Sequence, residues 1–349
     1  MKGDKQRMGQ ADQSTRVLVT GGAGFMGSHL AEILLDRGHK VTVLDDMSGG
    51  FPDNVDPRAK LVEGSVTDSA LIKEVFDVGK FEHVFHLAAY AAEGLSHFIK
   101  KFNYENNLIG SVNLINAAVN HDVRSFIFTS SIAVYGANQV PMVEEMTPMP
   151  EDSYGIAKYA VEQELKVSHE MFGLDYVIFR PHNVYGERQN IGDRYRNVVG
   201  IFMNQIMQNQ PLTVFGDGEQ TRAFSYIHDV VPAIAAAPFT TEARNQVFNV
   251  GADEACSVNR LAEIVGKAMG RAPKLNHLPA RNEVKHAFSS HGKLKEVFKT
   301  VPRFGIEEGV ERMAAWAQEV GPRSSKRFEG IEIMKNMPPS WRKELAAAP

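Results

Sequence analysis

Tyr154 and Lys158 stand four residues apart in Tyr154-Gly155-Ile156-Ala157-Lys158, a segment with helical patterning, so both side chains fall on one face. A phenol titrates at about pH 10 and is a poor base at neutrality unless a cation beside it lowers its pKa; Lys158 can be that cation. Such pairs also arise by chance on exposed helices. What gives this one weight is Thr129-Ser130-Ser131, at the end of a predicted strand 23 residues earlier. There the Ser131 hydroxyl can share the proton of a substrate oxygen with Tyr154. The chemistry implied is removal of a proton from a hydroxyl, which is useful when hydride leaves the same carbon.

A hydride acceptor has a place to bind. Thr20-Gly21-Gly22-Ala23-Gly24-Phe25-Met26-Gly27 follows a predicted strand and opens a helix. Gly21 permits the tight turn, Gly24 lets a pyrophosphate approach the backbone, and Gly27 lets helix and strand pack closely. Free N–H groups at the helix start favour the anion. Eighteen residues beyond Gly27, the second strand ends in Asp45-Asp46, and a carboxylate there accepts from a ribose diol and repels a 2′-phosphate. Met47 to Pro57 holds no Lys or Arg to receive such a phosphate, so NAD is expected over NADP.

These groups need strand ends to hold them. Short β-branched runs at Arg16–Thr20, Val41–Asp45, Lys60–Glu63, His83–Ala88, Phe126–Ser130 and Tyr176–Arg180 alternate with helical patterns near 25–38, 68–78, 102–120 and 153–172. Mostly continuous apolar strands require cover on both faces, so the fold expected is α/β, a doubly wound parallel (Rossmann) sheet with ligand at the carboxyl ends of its strands. The rhythm changes after residue 182. The expected division is a flexible arm at 1–15, a dinucleotide-binding domain from 16–182 plus about 223–253, and a smaller interleaved α/β lobe from about 183–222 plus 254–320. The last of its elements is a closing helix at Gly305–Val320, and 321–349 is expected to be a solvated tail wrapped on the surface, a partner-binding segment being the alternative.

Composition narrows the classes further. The 349 residues are 43% apolar and 23% charged, as in ordinary globular proteins. With 38 basic against 42 acidic residues there is no basic block to suggest nucleic acid. One cysteine, Cys256, excludes an internal disulfide and a cysteine zinc site. His83 and His86, three apart on a strand, face opposite sides and should not share a metal. With neither a signal-like apolar stretch nor a run of about 18 apolar residues, no membrane association and a cytoplasmic location are expected.

Taken together, TGGAGFMG, HLAA (86–89), NNLIGS (106–111), SSIAVYG (130–136), YGIAK (154–158), RPHNVYG (180–186), VFGDGEQTRAFSYIHDV (214–230) and RNEV (281–284) resemble the extended short-chain dehydrogenase/reductases, in particular their NAD-dependent nucleotide-sugar epimerases and dehydratases. The resemblance covers about 16–320. It implies that Ser131, Tyr154 and Lys158 are catalytic, and that NAD is held by Gly21, Gly24, Phe25, Met26, Gly27, Asp45, Asp46, Ser65, Val66, Leu87, Ala88, Ala89, Asn106, Tyr154, Lys158 and Pro181. It places a nucleotide-diphosphate sugar, of the UDP type, on Ser131, Asn183, Phe215, Arg222, Arg281, Glu283 and Ala287, with Arg222 gripping the diphosphate. It also implies a homodimer through helices 102–120 and 153–172.

The chain departs from the family pattern in places. Gly64-Ser65 stands where Gly-Asp is usual, leaving Ser65 or Asp68 toward the adenine, and Arg281 precedes Glu283 by two positions where three is usual. Pro181 and His182 replace an aromatic pair; His182 reads as a packed or hydrogen-bonded pocket residue. The family's dehydratases and decarboxylases carry a carboxylate beside the serine, whereas Thr129-Ser130-Ser131-Ile132 has none. The reaction expected is therefore 4-epimerisation of a UDP-glucose/UDP-galactose type sugar through a 4-keto intermediate. Small Ala287 leaves room for an N-acetyl group. UDP-glucuronate as substrate, a nucleotide-sugar reductase or dehydrogenase, and a non-catalytic dinucleotide sensor are the alternatives.

Overall fold

A computed structural model describes residues 14–137, 140–193, 195–280, 285–324, 328–339 and 341–342. Six strands, β1 (Arg16–Thr20), β2 (Lys40–Asp45), β3 (Lys60–Glu63), β4 (His83–His86), β5 (Ser125–Thr129) and β6 (Asp175–Pro181), join strand Gln246–Val250 in one parallel sheet. Its order is 246–250, β6, β5, β4, β1, β2, β3. Side chains alternate across it: Val17 and Val19 pack with Leu30, Phe85 and Ile234 on one face, while Leu18 packs with Val84, Leu114 and Val161 on the other. Both faces are thus dry, which explains the nearly unbroken apolar runs. The order reverses between β1 and β4, which opens a crevice at the carboxyl ends where a ligand fits.

The second lobe is built from short pairings. Leu212–Phe215 lies parallel to Leu275–Leu278, and Thr221–Ala223 sits between antiparallel Ala255–Ser257 and parallel His286–Ala287. Helices Val198–Met207, Val258–Ala268 and Ile306–Val320 cover them.

Three elements differ from the sequence expectation. Thr15 does not belong to a free arm: it is buried, with its hydroxyl 3.0 Å from His39 Nδ1, while residues 1–13 lie outside the described residues. The helix expected at 102–120 is three pieces, Lys100–Tyr104, a π turn Glu105–Ile109 and Gly110–Asn120. The Asn107 amide donates to Tyr90 O and accepts from Tyr90 N, so the turn is tied to the loop after β4. The segment after Val320 lies on the surface, with most of its described residues at least partly exposed, but it is pinned at several points. Met337 and Trp341 are buried against Ala92, Leu95 and Ile99, and the Glu332 carboxylate accepts from the Lys101 and Phe102 N–H groups at 2.8 and 2.9 Å. Its scattered aromatics carry too much apolar surface to remain in water.

Candidate active site

The carboxyl ends of the sheet and the second lobe enclose one cavity of about 1690 Å³. That exceeds the roughly 300–1,000 Å³ of a pocket for a single small ligand. Two ligands can lie in it together.

At one end is the glycine loop. Gly21 has φ +72°, and a Cβ there would lie 2.7 Å from Ala88 N; a Cβ on Gly27 would lie 2.2 Å from Gly21 O. Only glycine fits either position, and Gly24 faces the cavity. Helix Phe25–Asp36 starts at Gly24 with no side-chain cap, whereas Asp68 and Asp152 cap the helices they precede. The uncapped N–H groups open toward an anion. Asp45, buried at the end of β2, accepts from Ala23 N at 3.0 Å and Met47 N at 2.9 Å. Each carboxylate oxygen keeps a further lone pair for a diol. Burial, more than neighbouring charge, raises its pKa. Asp46, Phe25, Met26, Val66, Leu87, Ala88, Ala89, Asn106 and Pro181 also line the cavity. Ser65 does not: its hydroxyl is 2.9 Å from that of Thr67, and Gly64 and Val66 form the wall on either side.

Ser131, Tyr154 and Lys158 meet in the middle. Asp152 caps helix Ser153–Phe172, accepting from Gly155 N at 2.8 Å, and thereby sets where Tyr154 enters the cavity. Burial raises the Tyr154 pKa, and Ser131, which lines the same cavity, offsets that rise only in part. Lys158 is 2% exposed; its Nζ donates to Thr129 O at 2.8 Å and lies 5.8 Å from the centre of the Tyr154 ring. Burial lowers its pKa to about 7, against the pull of Glu162. The fall in the Tyr154 pKa expected from the spacing of Lys158 is therefore outweighed by burial. Both groups are desolvated, and both are held toward neutrality.

Asn183, Phe215, Arg222 and Ala287 line the far end, and Arg222 Nη1 donates to Thr221 O and Lys285 O. Asn183 has φ +42°. Arg281 and Glu283 lie outside the described residues. His182 donates from Nδ1 to Ala223 O at 2.9 Å and has Nε2 3.0 Å from His291 Nε2; burial lowers its pKa to about 4. His83 and His86 bond different partners, Ser125 for the first and Thr20 and Ser111 for the second. Among the described residues no cluster suited to a metal occurs, and no helix is long and apolar enough to cross a membrane.

Residues 17–251 match the NAD dependent epimerase/dehydratase family. The chain belongs to that family. A UDP-glucose 4-epimerase of Corynebacterium glutamicum is 31% identical over 326 residues, spanning 88% of this chain and 98% of that protein. The crystal structure of a Thermotoga maritima UDP-glucose 4-epimerase with UDP-glucose superposes with a TM-score of 0.83 at 34% identity, covering 87% of this chain and 99% of that one. A UDP-N-acetylglucosamine 4-epimerase from Methanobrevibacter ruminantium M1, in complex with UDP-N-acetylmuramic acid, gives 0.82 at 31%, covering 88% and 99%. The glycine loop and the buried Asp45 fit the cofactor for which the family is named.

Several residues of this epimerase/dehydratase site do not stand out in the sequence. Asp152 carries a signal, an acidic residue just before a helical run. Arg196 and the trio Pro322, Arg323 and Ser324 also line the cavity, yet stand in no motif.

Proposed function

We propose that the protein interconverts the C4 epimers of a UDP-sugar, using NAD that is regenerated in each cycle. The observation that carries this reading is that Ser131, Tyr154 and Lys158 line one cavity together with the glycine loop and Arg222. Tyr154 takes the proton of the C4 hydroxyl while Ser131 holds the same oxygen; after the sugar turns over, both return it. Tyr154 does so as the phenolate, the form that a protonated Lys158 favours, and the phenol so formed is the acid that returns the proton. Arg222 anchors the diphosphate by its guanidinium fork while the sugar moves. NAD, when bound, supplies the hydride acceptor at C4 and the source from which hydride returns. The Thr129–Ile132 turn carries no carboxylate for elimination or decarboxylation, and the nearby Glu162 is fully buried in an ion pair with Arg180. Incubation with UDP-, dTDP-, GDP- and CDP-sugars, UDP-glucuronate included, tests the proposal by NMR of the products. A C4 epimer without net reduced nicotinamide supports it; stoichiometric cofactor consumption indicates a reductase.

Ala287 supports acceptance of N-acetylated sugars. It lines the cavity with its backbone paired to that of Arg222, and its side chain is small. Ala287→Tyr is expected to lower turnover of UDP-N-acetylglucosamine by about tenfold or more, the scale of a 1–3 kcal/mol steric penalty, and to spare UDP-glucose. Equal loss on both sugars contradicts this.

We also infer a homodimer. Ile109, Ile156, Val167, Met171 and Phe172 are exposed on helices 105–120 and 153–172, an apolar surface of the kind an interface covers. Sedimentation velocity should return the mass of two chains, and Val167→Glu with Met171→Glu should return one.

A further inference from the structure

The cofactor loop presents an electrostatic problem. Gly21 to Gly27 contains no basic residue, and Asp45 and Asp46 stand beside it. A diphosphate placed there meets backbone N–H groups and the partial positive charge of the helix start but no local basic side chain, so a cation from another part of the chain would add to its binding.

Arg323 is in position to do this. Residues Ser48, Gly49 and Gly50 line the cavity next to Asp46, and Gly50 is packed onto Ala23 of the glycine loop, with Phe51 N donating to Ala23 O at 3.0 Å. Arg323 lies over the Phe51 ring, 3.9 Å from its centre, and lines the same cavity. Its backbone is fixed from both sides: Arg323 N donates to Asn204 Oδ1, and Arg323 O accepts from the Asn204 amide, each at 2.9 Å, and from Gln208. Gly192 leaves room for it, since a Cβ there would lie 3.1 Å from Arg323 Cβ. Among the described residues no carboxylate comes within ion-pair distance of its guanidinium, and its Nη1 is buried without a hydrogen-bond partner. Arg196, which faces Gly49, also has a buried nitrogen without a hydrogen-bond partner, Nε, but its charge is balanced by the Asp193 carboxylate 3.0 Å away. A held guanidinium with a buried, unsatisfied donor is costly unless a ligand completes it.

We infer that Arg323 is a binding residue for the cofactor's diphosphate, delivered across the cleft by the segment that follows helix Ile306–Val320. The inference rests on the cofactor reading of the glycine loop. It also explains why that segment is anchored at several points, since the backbone clamp on Asn204 ties it to the second lobe, and the Glu332 cap and buried Trp341 tie it to the first.

The test measures binding by calorimetry to the full chain stripped of nucleotide, using NAD, ADP, adenosine and UDP as probes. Arg323→Gln is expected to weaken NAD and ADP by about tenfold or more, as for loss of a charge-assisted bond. Adenosine and UDP should be unchanged, Arg323→Lys should recover part of the loss, and the melting temperature without ligand should not fall. NAD and ADP affinities within twofold of wild type overturn the inference, whether or not the melting temperature drops. Weaker UDP with unchanged NAD also overturns it and places the guanidinium on the substrate's diphosphate. If the wild-type chain binds no NAD, it is the cofactor reading of the loop that fails.

Discussion

Replacing Tyr154 with Phe is expected to lower kcat for epimerisation by about two to four orders of magnitude, the range general acid–base groups contribute. The substitution removes one oxygen. The ring stays packed at the cavity wall, so fold and cofactor binding should persist. KM for the UDP-sugar should change little, because Arg222 and Asn183 are untouched. The loss should be larger than for Ser131→Ala, since Ser131 shares the proton while Tyr154 takes it. Steady-state kinetics with bound nicotinamide quantified beside it provide the check. A fall of less than tenfold in kcat would mean that another group handles the proton.

The second large effect is on stability. Beneath Ser131 lies a buried ionic network in which Glu162 accepts from Arg180 at 2.9 and 2.6 Å and from the Ser130 hydroxyl at 2.6 Å. Arg180 donates in turn to the Tyr135 hydroxyl at 2.7 Å, and Tyr135 donates to Asn249 at 2.8 Å. Glu162 is 0% exposed and Arg180 2%. Glu162→Ala strands a guanidinium in the core, and the expected cost is about 3–5 kcal/mol, read from urea unfolding. Glu162→Leu combined with Arg180→Met should regain most of it, because an apolar pair of similar volume avoids the desolvation penalty. Glu162 also raises the pKa of Lys158, so its loss should lower that pKa further. Activity that needs the ammonium is full below the pKa and is lost as pH rises through it. In Glu162→Ala that decline should move to lower pH.

What can be read from the residues is local. The glycine loop, Asp45 and the strands β1 and β4 each declare themselves within a few positions, the strands through apolar runs that both faces of the sheet must bury. Tyr154 and Lys158 are legible through helical spacing. Their electrostatics are not: spacing pairs an ammonium with a phenol, whereas burial dominates both groups and turns Lys158 toward the Thr129 carbonyl. The π turn at 105–109 escapes a helical pattern because its cause lies outside the helix, in the bonds between Asn107 and Tyr90. Glu162 and Arg180 look like ordinary charged positions, since only the three-dimensional packing of helix 153–172 on β6 brings them together. Ser65 is assigned by position in a motif, and the backbone instead turns Gly64 and Val66 to the cavity. Arg323 and Trp341 reach the cleft across more than a hundred residues of intervening chain, beyond any sequence window.

The central claim is that hydride leaves C4 of a UDP-sugar and returns to the same carbon on the other face, without leaving the protein. UDP-glucose carrying deuterium at C4 tests it most directly, with the product followed by NMR in the presence of excess unlabelled NADH. The expected product is UDP-galactose that keeps its deuterium at C4, with no label in the nicotinamide pool. Deuterium in the pool, or a keto sugar accumulating with reduced cofactor, would contradict it.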